Sequence, residues 1–412
     1  MARLKALARE LRLAEAFLAL AVLGFALSSD TLALLGCLGT LLVALLALWE
    51  RSCLAGVSYS RRLERHRAGL GERVGLELEI VNDKILPLSF LEIDDEVPYG
   101  LRIEGGATVT GFSRRSARLV QVLPLLPYQR VRRRMLVSCD RRGEHRFGPA
   151  TLTSGDPVGR GTRSEVLAET EQLLVYPRIL PVSPEGVLAR VLLGDLSSRS
   201  PLGANPLRAA GVRAYSPGDP LRHVDWRATA RTGELLVRRF EPTVSPRIAV
   251  VLDVLVPQVR GWSPDPDELE FAVASTASIL SALARGRIPV GLYTTGSAGG
   301  RPVAHPPSRD PSALPAMLES LARLLPSGTP FVERVLLAAS SRLPGQTSFV
   351  VIAADFPRPL LAAIDEVRRH HALTAVHLAL GGDPPPTERV DALLHAPYAE
   401  DWQSRESLEL LP

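Results

Sequence analysis

Cysteine is scarce in this chain: Cys37, Cys53 and Cys139 are the only three in 412 residues. Three cysteines cannot build a disulfide scaffold, and no CxxC or Cys/His cluster offers structural zinc. Lysine is scarcer, with Lys5 and Lys84 alone, so nearly all positive charge is arginine. There is no Walker loop and no HExxH pair, and the eight histidines are scattered. The usual signatures of P-loop nucleotide hydrolysis and zinc peptidase chemistry are therefore missing. A net charge of +4 is small for this length and does not by itself imply a polyanionic partner. What the chain does have is apolar residues, at 46%. That excludes disorder throughout, and the length allows two or three domains.

The apolar residues are concentrated at the start. Residues 13–29 carry one acid, Glu15, and residues 31–49 carry no charge. Each run is near the roughly 20 residues that cross hydrocarbon as a helix. The break at Ser28-Ser29-Asp30 predicts a transmembrane hairpin over residues 1–52, with Trp49 at the second exit. Arg3, Lys5, Arg9 and Arg12 precede it, and Arg51, Arg61, Arg62, Arg65 and Arg67 follow. By the positive-inside rule both ends face the cytoplasm, giving a multi-pass protein of the cell membrane with cytoplasmic soluble domains. A cleaved signal peptide is the rival, and residues 31–49 would then remain as an anchor.

Residues 70–165 read as β. Val74, Leu76, Leu78 and Ile80 alternate with Gly75, Glu77 and Glu79, and short apolar runs are separated by Pro, Gly and Ser. A small antiparallel sandwich is expected. Residues 246–381 read as a doubly wound α/β domain. Ile248–Val256 is a nearly continuous apolar run, and helical patterns alternate with further strands at 289–294, 348–354 and 373–380. Residues 382–412, opening on Pro384-Pro385-Pro386, read as a linker and a short tail helix.

Between these domains, residues 200–245 hold the most unusual stretch. Seven arginines (208, 213, 222, 227, 231, 238, 239) face Asp219, Asp225, Glu234 and Glu241, with Tyr215 and Trp226 interleaved. Arginine forks pair with carboxylates and stack on rings, so a fixed ion-pair network is expected. Two roles fit. Arg213, Tyr215, Gly218, Asp219, Arg222, Asp225, Trp226, Arg231 and Glu234 form either a binding surface or a clamp fixing the β domain to the α/β domain.

This stretch resembles the domain of unknown function 58 family of MoxR-associated membrane proteins. The resemblance rests on Arg213-Ala214-Tyr215-Ser216-Pro217-Gly218-Asp219 through Asp225-Trp226, then Ala230-Arg231-Thr232-Gly233. Upstream, Arg142-Gly143 and Asp156-Pro157-Val158-Gly159 match two further elements, with Val158 where an aromatic is usual. The resemblance implies a membrane anchor, a von Willebrand A-like α/β domain and partnership with a MoxR-type AAA ATPase. It supplies no reaction.

It also implies a strand-end site for Mg²⁺, for which Asp253, Thr329 and Asp355 are the candidates. Leu255 and Pro257 stand where the site would have serines, so a vestigial rim that docks partners is the favoured expectation over a metal centre. The leading expectation is thus a non-catalytic, membrane-anchored interaction protein. A degenerate metal-dependent hydrolase using these acids is the enzyme alternative. The third is a nucleic-acid binder through Arg130, Arg132, Arg133, Arg134, Arg141, Arg142 and Arg146. An alternating basic strand is more often a solvated or lipid-facing surface, and nucleic acid is not the expected partner.

Overall fold

The computed structural model describes residues 2–105, 108–113, 116–158, 161–182, 204–216, 221–242, 247–254, 266–326, 331–344 and 347–411. The chain divides into two compact units, Met1–Tyr176 and Pro177–Pro412.

The first unit opens with α1 (Ala2–Ala26) and α2 (Asp30–Ser52). They pack antiparallel through small residues. Gly24 lies against Ala33 and Gly36 against Ala21, and a Cβ on either glycine would meet backbone. Among the described residues, only α2 has the length and apolarity to cross a membrane. The apolar part of α1 is Leu13–Ala26, whose rise of about 21 Å falls short of the roughly 30 Å of hydrocarbon. The expected pair of spans is therefore a helix pair with one member of membrane length.

Lys84 closes the end of α2. Its ammonium donates to the carbonyl oxygens of Ser52 (3.1 Å), Cys53 and Ala55 (2.6 Å). These are acceptors that a helix C-terminus leaves open. Arg163 Nη1 adds a bond to the Arg51 carbonyl at 2.7 Å.

Twelve strands follow: β1 (Val57–Leu63), β2 (Arg67–Gly69), β3 (Arg73–Asn82), β4 (Leu88–Pro98), β5 (Arg102–Glu104), β6 (Thr108–Ser113), β7 (Ser116–Leu125), β8 (Arg130–Ser138), β9 (Gly143–Phe147), β10 (Ala150–Gly155), β11 (Thr162–Leu167) and β12 (Glu171–Tyr176). They form sheets ordered β1-β3-β8-β5, β11-β10-β4-β7-β6 and β2-β12-β9. The alternation read in the sequence is realised: Val74, Leu76, Leu78 and Ile80 all point into one core. Leu91 and Ile93 of β4, Leu119 of β7 and Val137 of β8 meet them there. The β region starts earlier than expected, at Val57, because β1 carries Arg61 in an inward slot.

Arg61 is ion-paired to Asp95, and their side chains are 3% and 0% exposed. Tyr59 donates its hydroxyl to Asp95 Oδ2 at 2.7 Å, and Arg61 Nη2 donates to the Glu169 carbonyl at 2.7 Å. Burial pushes the Asp95 carboxyl above its ordinary range, and the Arg61 charge pulls it back.

The second unit begins with Leu180 and Val182 buried in the α/β core. β13 (Ala204–Ala214) pairs antiparallel with β14 (Leu236–Pro242), with α3 (Trp226–Thr232) between them. Then come β15 (Arg247–Leu252), α4 (Pro266–Arg285), β16 (Val290–Ala298), β17 (Arg301–Ser308), α5 (Ala313–Ala322), β18 (Leu324–Leu325), α6 (Val332–Arg342), β19 (Thr347–Ala353), α7 (Arg358–Val367), β20 (Leu373–Ala379) and β21 (Ala392–Pro397).

The main sheet runs β17-β16-β15-β19-β20-β21, with β18 paired to β16. All its long strands are parallel except the edge strand β17. With the two-residue β18 set aside, sequence order across the sheet is 3-2-1-4-5-6, the doubly wound arrangement. Successive residues of β15 serve opposite faces: Ile248, Val250 and Leu252 join one core, Ala249 and Val251 the other.

Residues 382–412 differ from expectation. Instead of a linker and helix, β21 extends the sheet in parallel register with β20. Trp402 is buried beside Phe271, with ring centroids 5.6 Å apart, and Leu408 is buried in the same core. The three prolines end at Pro386, just ahead of one turn of 3-10 helix at Thr387–Arg389.

Candidate functional site

In a doubly wound sheet, ligands meet the carboxyl ends of the strands where the winding reverses, here between β15 and β19. Asp253 follows β15 and Asp355 follows β19, so both sequence-derived acids stand at that place. Asp253 Oδ1 accepts from the Thr295 hydroxyl at 3.0 Å, and the Val254 amide donates to that hydroxyl at 2.9 Å. Asp355 Oδ1 accepts from the Phe356 amide at 2.8 Å. Thr329, Leu255 and Pro257 lie outside the described residues.

Among the described residues no group of three or more His, Cys, Asp or Glu side chains is placed to hold an ion. Each acid already has a fixed local hydrogen bond that holds the turn after its strand.

Sequence reasoning passed over Thr295 and a histidine pair on the neighbouring strands. His377 of β20 and His395 of β21 face each other with Nδ1 atoms 3.2 Å apart, and His377 Nε2 lies 3.1 Å from the Gly382 carbonyl. An N–H at Nε2 bonding that carbonyl leaves His377 Nδ1 to accept from His395. Burial lowers the His377 pKa, and the His395 ring adds to the lowering. The parallel pairing of β20 and β21 creates this contact, which a scattered-histidine count cannot reveal.

The signature segment is built from local contacts. Asp225 caps α3: its Oδ1 accepts from the amides of Arg227 and Ala228, both at 3.1 Å. Its Oδ2 accepts from Arg238 Nε of β14 at 3.0 Å. Those amide and guanidinium bonds hold the Asp225 carboxyl below the usual range, the Ala228 amide most of all. Gly233 ends α3 in the left-handed conformation, φ 74°, which glycine adopts without strain. Tyr215 is half-buried, and its amide donates to the Leu235 carbonyl at 2.9 Å. Val224 and Val237 bury the underside.

The outer side is open. Trp226 is 65% exposed, with Leu221 and Leu235 also exposed. Arg213, Arg227, Arg231 and Glu234 are exposed as well. Gly218 and Asp219 lie outside the described residues, as does the Arg222 side chain. Among the described residues, one pair of the expected network is seen, Asp225 with Arg238, while Trp226 beside it faces solvent.

The basic run on β8 is largely answered by acids on β3. Arg132 Nε and Arg130 Nε lie 3.0 and 3.3 Å from Glu79 Oε1, and Arg134 Nε 3.8 Å from Glu77. Arg133 donates to Gln121. Cross-strand acids of this kind cancel the field that a phosphate backbone would need. In the same unit, a cleft of about 310 Å³ is lined by Tyr59, Arg61, Leu167 and Glu169–Glu171. Its one buried cation, Arg61, is already matched by Asp95.

An uncharacterized protein of Bacillus subtilis (strain 168), YeaD, is 27% identical over 263 residues, 62% of this chain and 59% of the relative. Among solved structures, a Pseudomonas fluorescens alkylpurine DNA glycosylase bound to abasic DNA is 14% identical with a TM-score of 0.20. It aligns over 35% of this chain and 38% of its own. A CARDB domain from Pyrococcus furiosus is 11% identical with the same score of 0.20, over 29% of this chain and 91% of its own. Scores this low carry no statement about this protein. Residues 211–383, from the signature through β20, match the family described as Protein of unknown function DUF58, in keeping with the resemblance drawn from Arg213–Trp226.

Proposed function

We propose that this chain is a membrane-anchored interaction protein without catalysis of its own. The signature, and the strand ends that carry Asp253 and Asp355, would serve as its docking surfaces. The observation that carries this is Trp226. A large aromatic held on a capped turn, 65% exposed and flanked by Arg227 and Arg231, has the composition of an interface hot spot. The arginines around it favour an acidic partner surface. The doubly wound strand order supports a von Willebrand A-like reading of the α/β domain, and α2 supports anchoring in a membrane; the arginines on either side of the helix pair favour a cytoplasmic side for the soluble units. A MoxR-type AAA ATPase, implied by the family resemblance, is the partner to test first.

The test is capture of partners by the detergent-solubilised full chain, with and without ATP, beside Trp226→Ala. An ATPase retained by the parent chain and lost from the variant supports the proposal. No ATPase in either nucleotide condition removes that partner, and equal recovery with Trp226→Ala removes the docking face.

A further inference from the structure

We infer that three turns at the end of the β-rich unit nearest α2 dock directly onto the lipid bilayer. This rests on the reading of α2 as a membrane anchor and adds a second contact with the same membrane.

The turns are brought together by the exit of α2. Residues 83–87 join β3 to β4, and residues 126–129 join β7 to β8. Buried Asn82 bridges the two, its amide nitrogen donating to the carbonyls of Leu86 (3.0 Å) and Leu126 (2.9 Å). The Asp83 amide donates to the Gly56 carbonyl, at the chain that leaves α2. Lys84 sits on the carbonyls of Ser52, Cys53 and Ala55. The third turn follows β10 at Asp156. Gly161 there lies against the Glu50 carboxylate, and Arg163 holds the Arg51 carbonyl. The first and third turns are therefore pinned to residues 50–56, and the second is tied to the first through Asn82.

That position fixes their depth. Trp49, the last apolar residue of α2, packs against the β core. Three further residues of helix add about 4.5 Å along the axis, less than the roughly 6 Å of headgroup region on each side of the hydrocarbon. A unit tied to α2 at this level has these turns among headgroups.

The side chains at the tips suit that place. Ile85 is 78% exposed, Tyr128 67%, and Leu126 and Val158 65% each. Four large apolar side chains turned to solvent around one helix end form the kind of patch that marks a contact surface. The occupant that this helix brings to them is lipid. Tyr128 is of the type enriched at membrane interfaces. Val158 sits in the Asp156–Gly159 element noted in the sequence, and its side chain gives that element a use.

The test uses the full chain with Cys37→Ala, reconstituted in phosphatidylcholine/phosphatidylglycerol vesicles. Single cysteines replace Ile85, Leu126 or Val158, or Arg102 at the opposite end of β8 as control, and carry an environment-sensitive fluorophore. Docking predicts blue-shifted emission and quenching by headgroup-proximal spin-labelled lipid at the three turn sites, with the control quenched only by aqueous iodide. If the protein floats with vesicles but the turn sites answer to iodide, docking is refuted and the anchor stands. If they are shielded from iodide yet untouched by spin-labelled lipid, a protein covers the turns and docking is refuted. Failure to float removes the anchor itself, and the inference with it.

Discussion

Replacing Asp95 by Asn tests the energetics of the β-rich unit most sharply. The change keeps the shape and leaves an acceptor for the Tyr59 hydroxyl, so its effect is confined to charge. Arg61 would keep its bond to the Glu169 carbonyl but lose its only buried counter-charge. At 3% exposure, water cannot take over that role. Stranding one member of a buried ion pair costs about 3–5 kcal/mol. For a unit of this size that corresponds to roughly 6–20 °C in melting temperature. The assay is hydrogen exchange on the full chain in detergent, read at the slowest amides of β3 and β8. The partner experiment is Arg61→Met combined with Asp95→Leu, which removes both charges together and should recover most of the loss. A single variant costing less than about 1 kcal/mol, or a double variant as weak as the single, would refute the reasoning.

Asp225→Ala should speed exchange of the Arg227 and Ala228 amides and loosen α3, while the main sheet keeps its exchange pattern; a collapse of the whole second unit would instead show the clamp role. The neutral rings of His145, His305, His371 and His377 are each favoured by burial, which lowers their pKa from about 6.5. The unfolded chain therefore binds more protons, so their contribution is complete above pH 6.5 and is lost as pH falls below it. Melting temperature should drop between pH 7.5 and 5, less so in His377→Gln, and a flat profile would contradict the assignment. Gly36→Leu should push Ala21, and α1 with it, away from α2, and cross-linking between cysteines placed at positions 17 and 39 should fall; unchanged yield would deny the close packing.

How much of this was legible depended on whether the signal was local. The buried parallel strands were legible because β15 and β19 are apolar on both faces, which leaves an unbroken run in the sequence. The edge strands were not. β17 contains Pro302, Pro306 and Pro307, which the outer side of an edge tolerates but which read as loop. β21 was hidden behind three prolines. Asp253 and Asp355 came from the family resemblance, yet Thr295, 42 residues beyond Asp253, could only be seen as a partner once β16 lay beside β15. The Asp225–Arg238 pair was foreseen in kind. That Trp226 would face outward was not, because composition records which residues cluster and not which way they turn. Arg61 and Asp95 are 34 residues apart, and an arginine in a strand gives no hint that it points inward.

The role of β21 and the residues after it bears on synthesis. β20 is buried along almost its whole length, and the short edge strand beyond it shields its backbone. Until residues as far as Leu411, which bridges to His395, have emerged from the ribosome, that strand is an open apolar edge ready to pair with any passing chain. Messages cut short within this region should therefore yield aggregates and not a slightly weakened protein, and handling of the nascent chain matters most while β21 and the residues up to Leu411 are being made.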